Sequence, residues 1–193
     1  MISDIQSTSA PRFLEAEELA AGLPAILHSP TDEGTVEMIV ARPESEQRWL
    51  LDRGTLTPEG GLQNDRWLTT CGLRLPDGSP DPAVQITLMN ARCIQLLAGN
   101  RELWPLAGDN LFVDFNLSME NLPVGSRLRL SDCVLEISEP PHTGCAKFKR
   151  RFGVAALQFV NSPEGKALRL RGVNARVVQA GTVTIGDRIE RYA

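Results

Sequence analysis

Arg127-Leu128-Arg129-Leu130-Ser131-Asp132-Cys133-Val134-Leu135-Glu136-Ile137-Ser138 is the stretch whose reading decides the fold class. Residues 127–130 and 133–138 are two short β-type runs separated by Ser131 and Asp132, the length of a tight hairpin turn, although the usual turn glycine is missing. Cys133, Leu135 and Ile137 fall on one strand face, opposite Val134, Glu136 and Ser138. Outward from this hairpin, from Val36 onward, short apolar runs are broken about every ten residues by Gly, Pro, Asp or Asn, the spacing of an all-β sandwich or barrel. Residues 36–41, 84–89, 111–115, 174–179 and 187–190 complete the set of expected strands. In the second of these, Val84, Ile86 and Leu88 alternate with Gln85, Thr87 and Met89, which predicts one buried face and one turned toward something more polar.

Helices interrupt this β pattern. Asn90 is placed to cap a helix through Ala91, Ile94, Leu97 and Ala98 that stops at Gly99 and Asn100, and residues 152–160 carry apolar side chains at helical intervals up to Asn161 and Pro163. Residues 13–21 predict a short helix ended by Gly22 and Pro24. The expected architecture is mainly β, a closed or nearly closed β-barrel with a few packed helices. Residues 1–34 are expected as an N-terminal lead-in packed on a domain formed by residues 35–193.

The chain has 193 residues, with 16 Gly, 13 Pro, 42% hydrophobic and 23% charged side chains, which excludes disordered, collagenous and low-complexity classes. Twenty Lys and Arg against 24 Asp and Glu give a formal net charge of -4, against the broad basic footprint that nucleic-acid binding needs. No apolar run approaches the ~20 residues of a membrane span, and residues 1–12 lack the basic and apolar regions of a signal peptide. A cytoplasmic protein with neither nucleic-acid nor membrane partners is the expectation. The four cysteines, Cys71, Cys93, Cys133 and Cys145, form no C-x-x-C pair, so no zinc knuckle or thioredoxin-type motif can be read, and in a reducing compartment all four are expected as thiols.

One of the four stands in unusual company. Cys145 lies in Pro140-Pro141-His142-Thr143-Gly144-Cys145-Ala146-Lys147-Phe148-Lys149-Arg150-Arg151, between an expected strand and an expected helix, where two prolines and a glycine force an irregular loop. Two of the three lysines of the chain, Lys147 and Lys149, lie within four positions of it, followed by Arg150 and Arg151. Nearby cations, a helix start and His142 would lower the thiol pKa and make the thiolate available as a nucleophile or metal ligand. His142 is the candidate acid–base helper. A buried cysteine beside a solvated basic run is the bland alternative. Cys133 and Cys93 read as small core residues, and Cys71 sits in a turn-like context without a partner. With only two histidines, a His-rich metal cage is excluded. Gly60-Gly61-Leu62-Gln63-Asn64-Asp65-Arg66-Trp67 offers an acceptor, a planar anion fork and a stacking face, a kit suited to a heterocyclic ligand bearing phosphate. Gly108-Asp109-Asn110 and Gly186-Asp187-Arg188 read first as β-turns.

In combination these segments resemble a known family. Gly61-Leu62-Gln63-Asn64-Asp65-Arg66, Gln85-Ile86-Thr87-Leu88-Met89-Asn90, Gly108-Asp109-Asn110-Leu111, the single-cysteine stretch 140–148, and Arg171-Gly172-Val173-Asn174-Ala175-Arg176-Val177-Val178 through Gly181 to Gly186-Asp187 occur in the order seen in MOSC domains, named for the C-terminal domain of molybdenum cofactor sulfurase. The resemblance covers about residues 35–190. It implies a β-barrel-rich fold whose late cysteine, matched by Cys145, carries sulfur as a persulfide or ligates molybdenum in a pterin-bound cofactor. By position, Asp65 and Arg66 match the family's Gly-Asp-Arg segment and Arg176 the arginine of its late Ala-Arg-Val strand, which makes them candidate ligand contacts. Lys147, Arg150 and Arg151 are the candidate cations for the sulfur or the cofactor. Asn64 stands where the family usually has glycine.

The resemblance carries three functional expectations. The first is a stand-alone protein that binds the molybdenum cofactor (molybdopterin) or relays sulfur from a sulfur donor on Cys145. The second is a molybdenum-dependent reductase of N-hydroxylated compounds, as in small bacterial relatives, supplied with electrons from outside. The third is a non-catalytic interaction domain. No intrinsic pyridoxal-phosphate or iron–sulfur site is expected, so a cysteine desulfurase or a reductase would be the partner protein.

Overall fold

Seven strands close on one another around the apolar side chains that the sequence alternates inward. The computed structural model describes residues 2–4 and 11–192. In chain order the elements are β1 (Ile2–Asp4), α1 (Ala16–Leu27), β2 (Glu33–Ala41), β3 (Trp49–Leu51), β4 (Arg53–Thr57), β5 (Gly61–Leu62), α2 (Trp67–Thr70), β6 (Ile86–Asn90), α3 (Ala91–Ala98), β7 (Leu111–Asp114), β8 (Arg127–Leu130), β9 (Cys133–Ile137), α4 (Ala146–Asn161), α5 (Pro163–Ala167), β10 (Val173–Gln179), β11 (Gly181–Thr184) and β12 (Arg188–Tyr192). Two 3₁₀ turns, Pro82–Val84 and Arg101–Ala107, precede β6 and β7.

The main sheet runs β2-β12-β8-β9-β10-β6-β7 and returns to β2 through a β2–β7 pairing, so the barrel is closed, with β3 added outside β2 and β1 outside β3. Only the β6–β7 contact in the barrel is parallel; α3 and the second 3₁₀ turn make the crossover it requires. A small sheet, β11-β4-β5, stands beside the barrel. The hairpin of residues 127–138 forms with Leu130 opposite Cys133. Ser131 takes the left-handed conformation (φ 56°) that a two-residue turn needs, a role filled here without glycine.

Two apolar layers result. Ile39, Ile86, Leu88, Phe115, Leu128, Leu135 and Ile137 meet inside the barrel. Met38, Val40, Met89 and Phe112 point the other way, onto α1, α3 and α4. The expectation of one more polar face for this segment is corrected: Gln85, Thr87 and Met89 are all buried, because Gln85 donates to Pro58 O and accepts from Val177 N, Thr87 donates to Asn110, and the helix layer covers Met89.

Two helix expectations are also corrected. α1 does not stop at Gly22 and Pro24 but runs through both to Leu27, because it buries Leu19 and Ile26 against the core. A Cβ on Gly22 would overlap the Leu96 side chain of α3, so the glycine serves helix approach rather than termination. α4 begins at Ala146, directly after Cys145, and kinks at Gly153 (φ 92°, ψ 172°). Asn90 caps α3 as expected, accepting from Cys93 N at 2.9 Å, and Gly99 ends it at φ 70°. Among the described residues no helix is long and apolar enough to cross a membrane.

Candidate functional site

The seven-residue 3₁₀ turn before β7 ends against a set of arginines. Helix and turn ends leave carbonyl oxygens without intrahelical partners. Here four consecutive ones are taken by four different guanidinium groups. Arg48 Nε donates to Pro105 O at 3.0 Å, Arg151 Nη1 to Leu106 O at 2.7 Å, Arg171 Nη2 to Ala107 O at 2.9 Å and Arg42 Nη1 to Gly108 O at 2.9 Å. Side chains from the β2–β3 loop, α4, the approach to β10 and the end of β2 thus converge on one backbone segment.

The next two residues divide this cluster. Asp109 is fully buried and binds Arg171 Nη1 at 2.7 Å and His142 Nε2 at 2.8 Å. Burial opposes its charge, but Arg171 and His142 outweigh that and hold its carboxyl down at about 2. Asn110 accepts from Arg42 Nη2 and donates to Asp65, both at 2.9 Å. A segment that reads as a simple β-turn is therefore the hub of the polar network. The signal was present in the family-like Gly108-Asp109-Asn110 and Arg171-Gly172 motifs, but nothing in a single sequence says that the two meet.

The loop carrying Cys145 is held at several points. Asn174 Nδ2 donates to Pro140 O at 2.9 Å. Asn161 clamps Gly144 twice, accepting from its N–H at 2.9 Å and donating to its carbonyl at 3.0 Å. A Cβ on Gly172 (φ 108°) would overlap Leu88 O and crowd the His142 ring, so only glycine lets this backbone pass so close to β6 with the ring beside it.

Of the four cysteines only Cys145 is exposed. It is the N-cap of α4 without closing a side-chain cap bond. Partial burial pushes its thiol pKa up; the backbone N–H groups of Phe148 and Lys147, then Arg171 and Arg151, outweigh this and bring it below the usual range. Burial drives Cys93 and Cys133 to about 12. Cys71 is buried at the end of α2, with Sγ 3.1 Å from Leu73 O.

The structure brings only some of the sequence-derived candidates together. His142 shares Asp109 with Arg171, and Arg171 acts on Cys145. Lys147 and Arg150 lie 3.6 and 3.9 Å from the Glu46 carboxylate, which also binds Arg151, because positions i, i+3 and i+4 share one face of α4. Lys147 therefore favours the thiolate through its backbone N–H. Asp65 is not an open ligand contact: its oxygens accept from Arg42, Trp67 N and Asn110, and its side chain is sealed. Arg66 lines a cleft of about 200 Å³ with Arg42, Trp67 and Cys71. Asn64, at φ 69°, takes the left-handed conformation of the glycine it replaces. Arg176 faces outward from β10 and binds Glu136 at 2.6 Å, in a row of surface ion pairs.

Arg42, Arg48, Asp109 and Arg171 were not singled out as site residues from the sequence. Arg48 is buried, and its pKa falls to about 10 through burial and then through Arg151, Arg42 and Arg66, with Glu46 the opposing charge. Buried like charges gathered in this way are costly unless an anion joins them. Trp67 lines the Arg66 cleft, and its Nε1 is buried with no partner among the described residues, a donor left for a ligand acceptor. Among the described residues no group of three or more His, Cys, Asp or Glu side chains could hold a metal ion.

Comparison with known proteins agrees with this architecture. Residues 99–190 match the MOSC domain model. No curated protein matches. Among solved structures the chain is similar to the YUAD protein from Bacillus subtilis (20% identity, 83% of this chain and 97% of that one, TM-score 0.54). It is also similar to YiiM from Escherichia coli (18%, 82% and 70%, 0.54) and to YiiM from Geobacillus stearothermophilus (14%, 83% and 75%, 0.56).

Proposed function

We propose, on the match of residues 99–190 to the MOSC domain model, that the chain is a MOSC-domain protein that binds the pterin-based molybdenum cofactor, with Cys145 supplying the sulfur ligand to the metal. One observation carries the reading: the one exposed thiol is also the one whose thiolate is favoured, and it lies within the influence of an arginine cluster that has more positive charge than its carboxylates offset. The donor set suits the group. Arg42 and Arg66, which line the cleft, would hold its phosphate, with the buried Arg48 adding positive charge nearby; the Trp67 Nε1 would meet an acceptor, and Cys145 would hold the metal. When bound, that cofactor supplies two-electron oxygen-atom chemistry.

The chain's own residues supply the rest. The N–H groups at the start of α4 and the nearby Arg171 and Arg151 favour the anionic sulfur. Burial and Arg171 lower the His142 pKa, so the ring is neutral at pH 7; with Nε2–H donated to Asp109, Nδ1 keeps its lone pair and can accept a proton. Asn161, Asn174 and Gly172 fix the loop, so the sulfur and the ring are ordered before anything binds. The same thiolate could carry persulfide sulfur, and its exposure favours that second reading.

The test is metal and pterin analysis of the wild type and Cys145→Ala, both purified anaerobically from a cofactor-competent host, with intact-mass measurement of the thiol. Molybdenum and pterin in the wild type, with molybdenum lost from the variant, is the expected result. Equal molybdenum in both overturns ligation, and persulfide on Cys145 with no metal in either decides for sulfur relay. Consumption of an N-hydroxylated substrate with an added reductase would extend the reading to turnover.

A further inference from the structure

Behind the loop that leads to Cys145 lies a cavity of about 420 Å³, apart from the Arg66 cleft. Its walls are mostly apolar, with Val124, Pro141, Val160 and Val173 among them. Two of its lining residues carry buried polar atoms with no partner among the described residues, Ser138 Oγ and Arg171 Nε. Buried donors are almost always satisfied in folded proteins, so two unmade bonds at one cavity point to a ligand that makes them. Charge narrows its chemistry: Lys166, Arg169 and Arg171 line the cavity with Glu139 as the one carboxylate, while His142, also lining it, is held neutral.

We propose that this cavity binds a compact organic anion, an apolar body ending in a carboxylate or similar acceptor that meets Arg171 Nε and Ser138 Oγ. The volume lies in the range of small-molecule sites, and the combination of apolar walls with a few converging polar groups is what such sites present. The proposal rests on the reading of Cys145 in one respect only: on that reading the occupant is the substrate brought to the site. Arg171 connects the two, since the same guanidinium lines the cavity, binds Asp109 and favours the Cys145 thiolate.

The test uses the full chain and three probes of one shape: naphthoate, neutral naphthamide and cationic naphthylmethylammonium. Binding is followed by NMR, including the Arg Nε–Hε signals. Saturable naphthoate binding that shifts the Arg171 Hε signal, with naphthamide weaker by about tenfold and no binding of the cation, is the expected result. Val124→Trp at the exposed edge should weaken naphthoate by about tenfold or more, and Lys166→Gln by about threefold, without loss of fold. Equal binding of the three probes, an unmoved Arg171 signal, or naphthoate affinity untouched by Val124→Trp overturns the proposal. A Cys145 that is reactive at neutral pH in a protein that ignores naphthoate defeats the cavity alone. In metal-free protein, an inert Cys145 together with naphthoate binding as described upholds the cavity and defeats the reading of Cys145 as a reactive thiolate alone.

Discussion

Cys93 and Cys145 both feel Arg171, and their thiols are driven in opposite directions. Cys93 lies in the helix layer, fully buried, with Sγ 3.2 Å from Leu170 O; its surroundings offer an acceptor and Asp109, and its pKa rises to about 12. Cys145 sits at the open start of α4, where N–H groups face a partly hydrated sulfur. A cation nearby is therefore not enough to make a thiolate. Desolvation decides first, and a charge or dipole acts only on a sulfur that water still reaches.

That contrast can be broken most visibly by alkylation at neutral pH. Cys145 should label orders of magnitude faster than Cys93, and Cys145→Ser should leave the folded protein essentially unlabelled on that timescale, read by intact mass. Comparable labelling of Cys93 would show that the helix layer opens and that burial is not the deciding term.

Next in size is Asp109→Ala, which strips the buried carboxylate from Arg171 and His142. A loss of about 3–5 kcal/mol in urea denaturation is expected, because a buried guanidinium is left uncompensated. The pH dependence has a defined sign. Asp109 is held at about 2, below its unfolded value, and His142 is also lowered, so each contributes stability that is present above its unfolded pKa. Stability should fall as pH drops below about 6.5 with His142, and more steeply from about 4 toward 2 with Asp109. A flat urea midpoint across that range would contradict the network.

Arg171→Gln sharpens the comparison from the other side. Both thiols should rise, and for Cys145 that means back toward its ordinary value, seen as slower alkylation at neutral pH. The smallest effect belongs to Arg176→Ala. Its pair with Glu136 is a surface bridge with the guanidinium half exposed, so it should cost at most about 1 kcal/mol and leave the Cys145 labelling rate unchanged.

The barrel was legible because period-2 alternation and turn residues are local signals, and the hairpin of residues 127–138 formed in the expected register. Cys145 was legible as a site candidate from its loop, its prolines and its basic neighbours, and its lone exposure is a matter of geometry. Elsewhere local reading failed for identifiable reasons. Pro24 and Gly22 read as helix stops, but packing against α3 carries α1 past them. The basic run after Cys145 read as the field around the sulfur, but helical spacing turns Lys147 and Arg150 toward Glu46, a residue about one hundred positions away. Asp65-Arg66 read as a ligand fork, but Arg42 and Asn110 occupy the carboxylate, and the Arg66 guanidinium lines the cleft beside Arg42. Asp109, Arg48 and Arg171 act through long-range partners, and one sequence does not record pairings of that kind.

The measurement that bears most directly on the account is the pH profile of Cys145 alkylation in the folded protein. The account expects a single ionisation with its midpoint below the ordinary cysteine range, lost on denaturation. A midpoint at or above that range, or a profile identical in the unfolded chain, would contradict it.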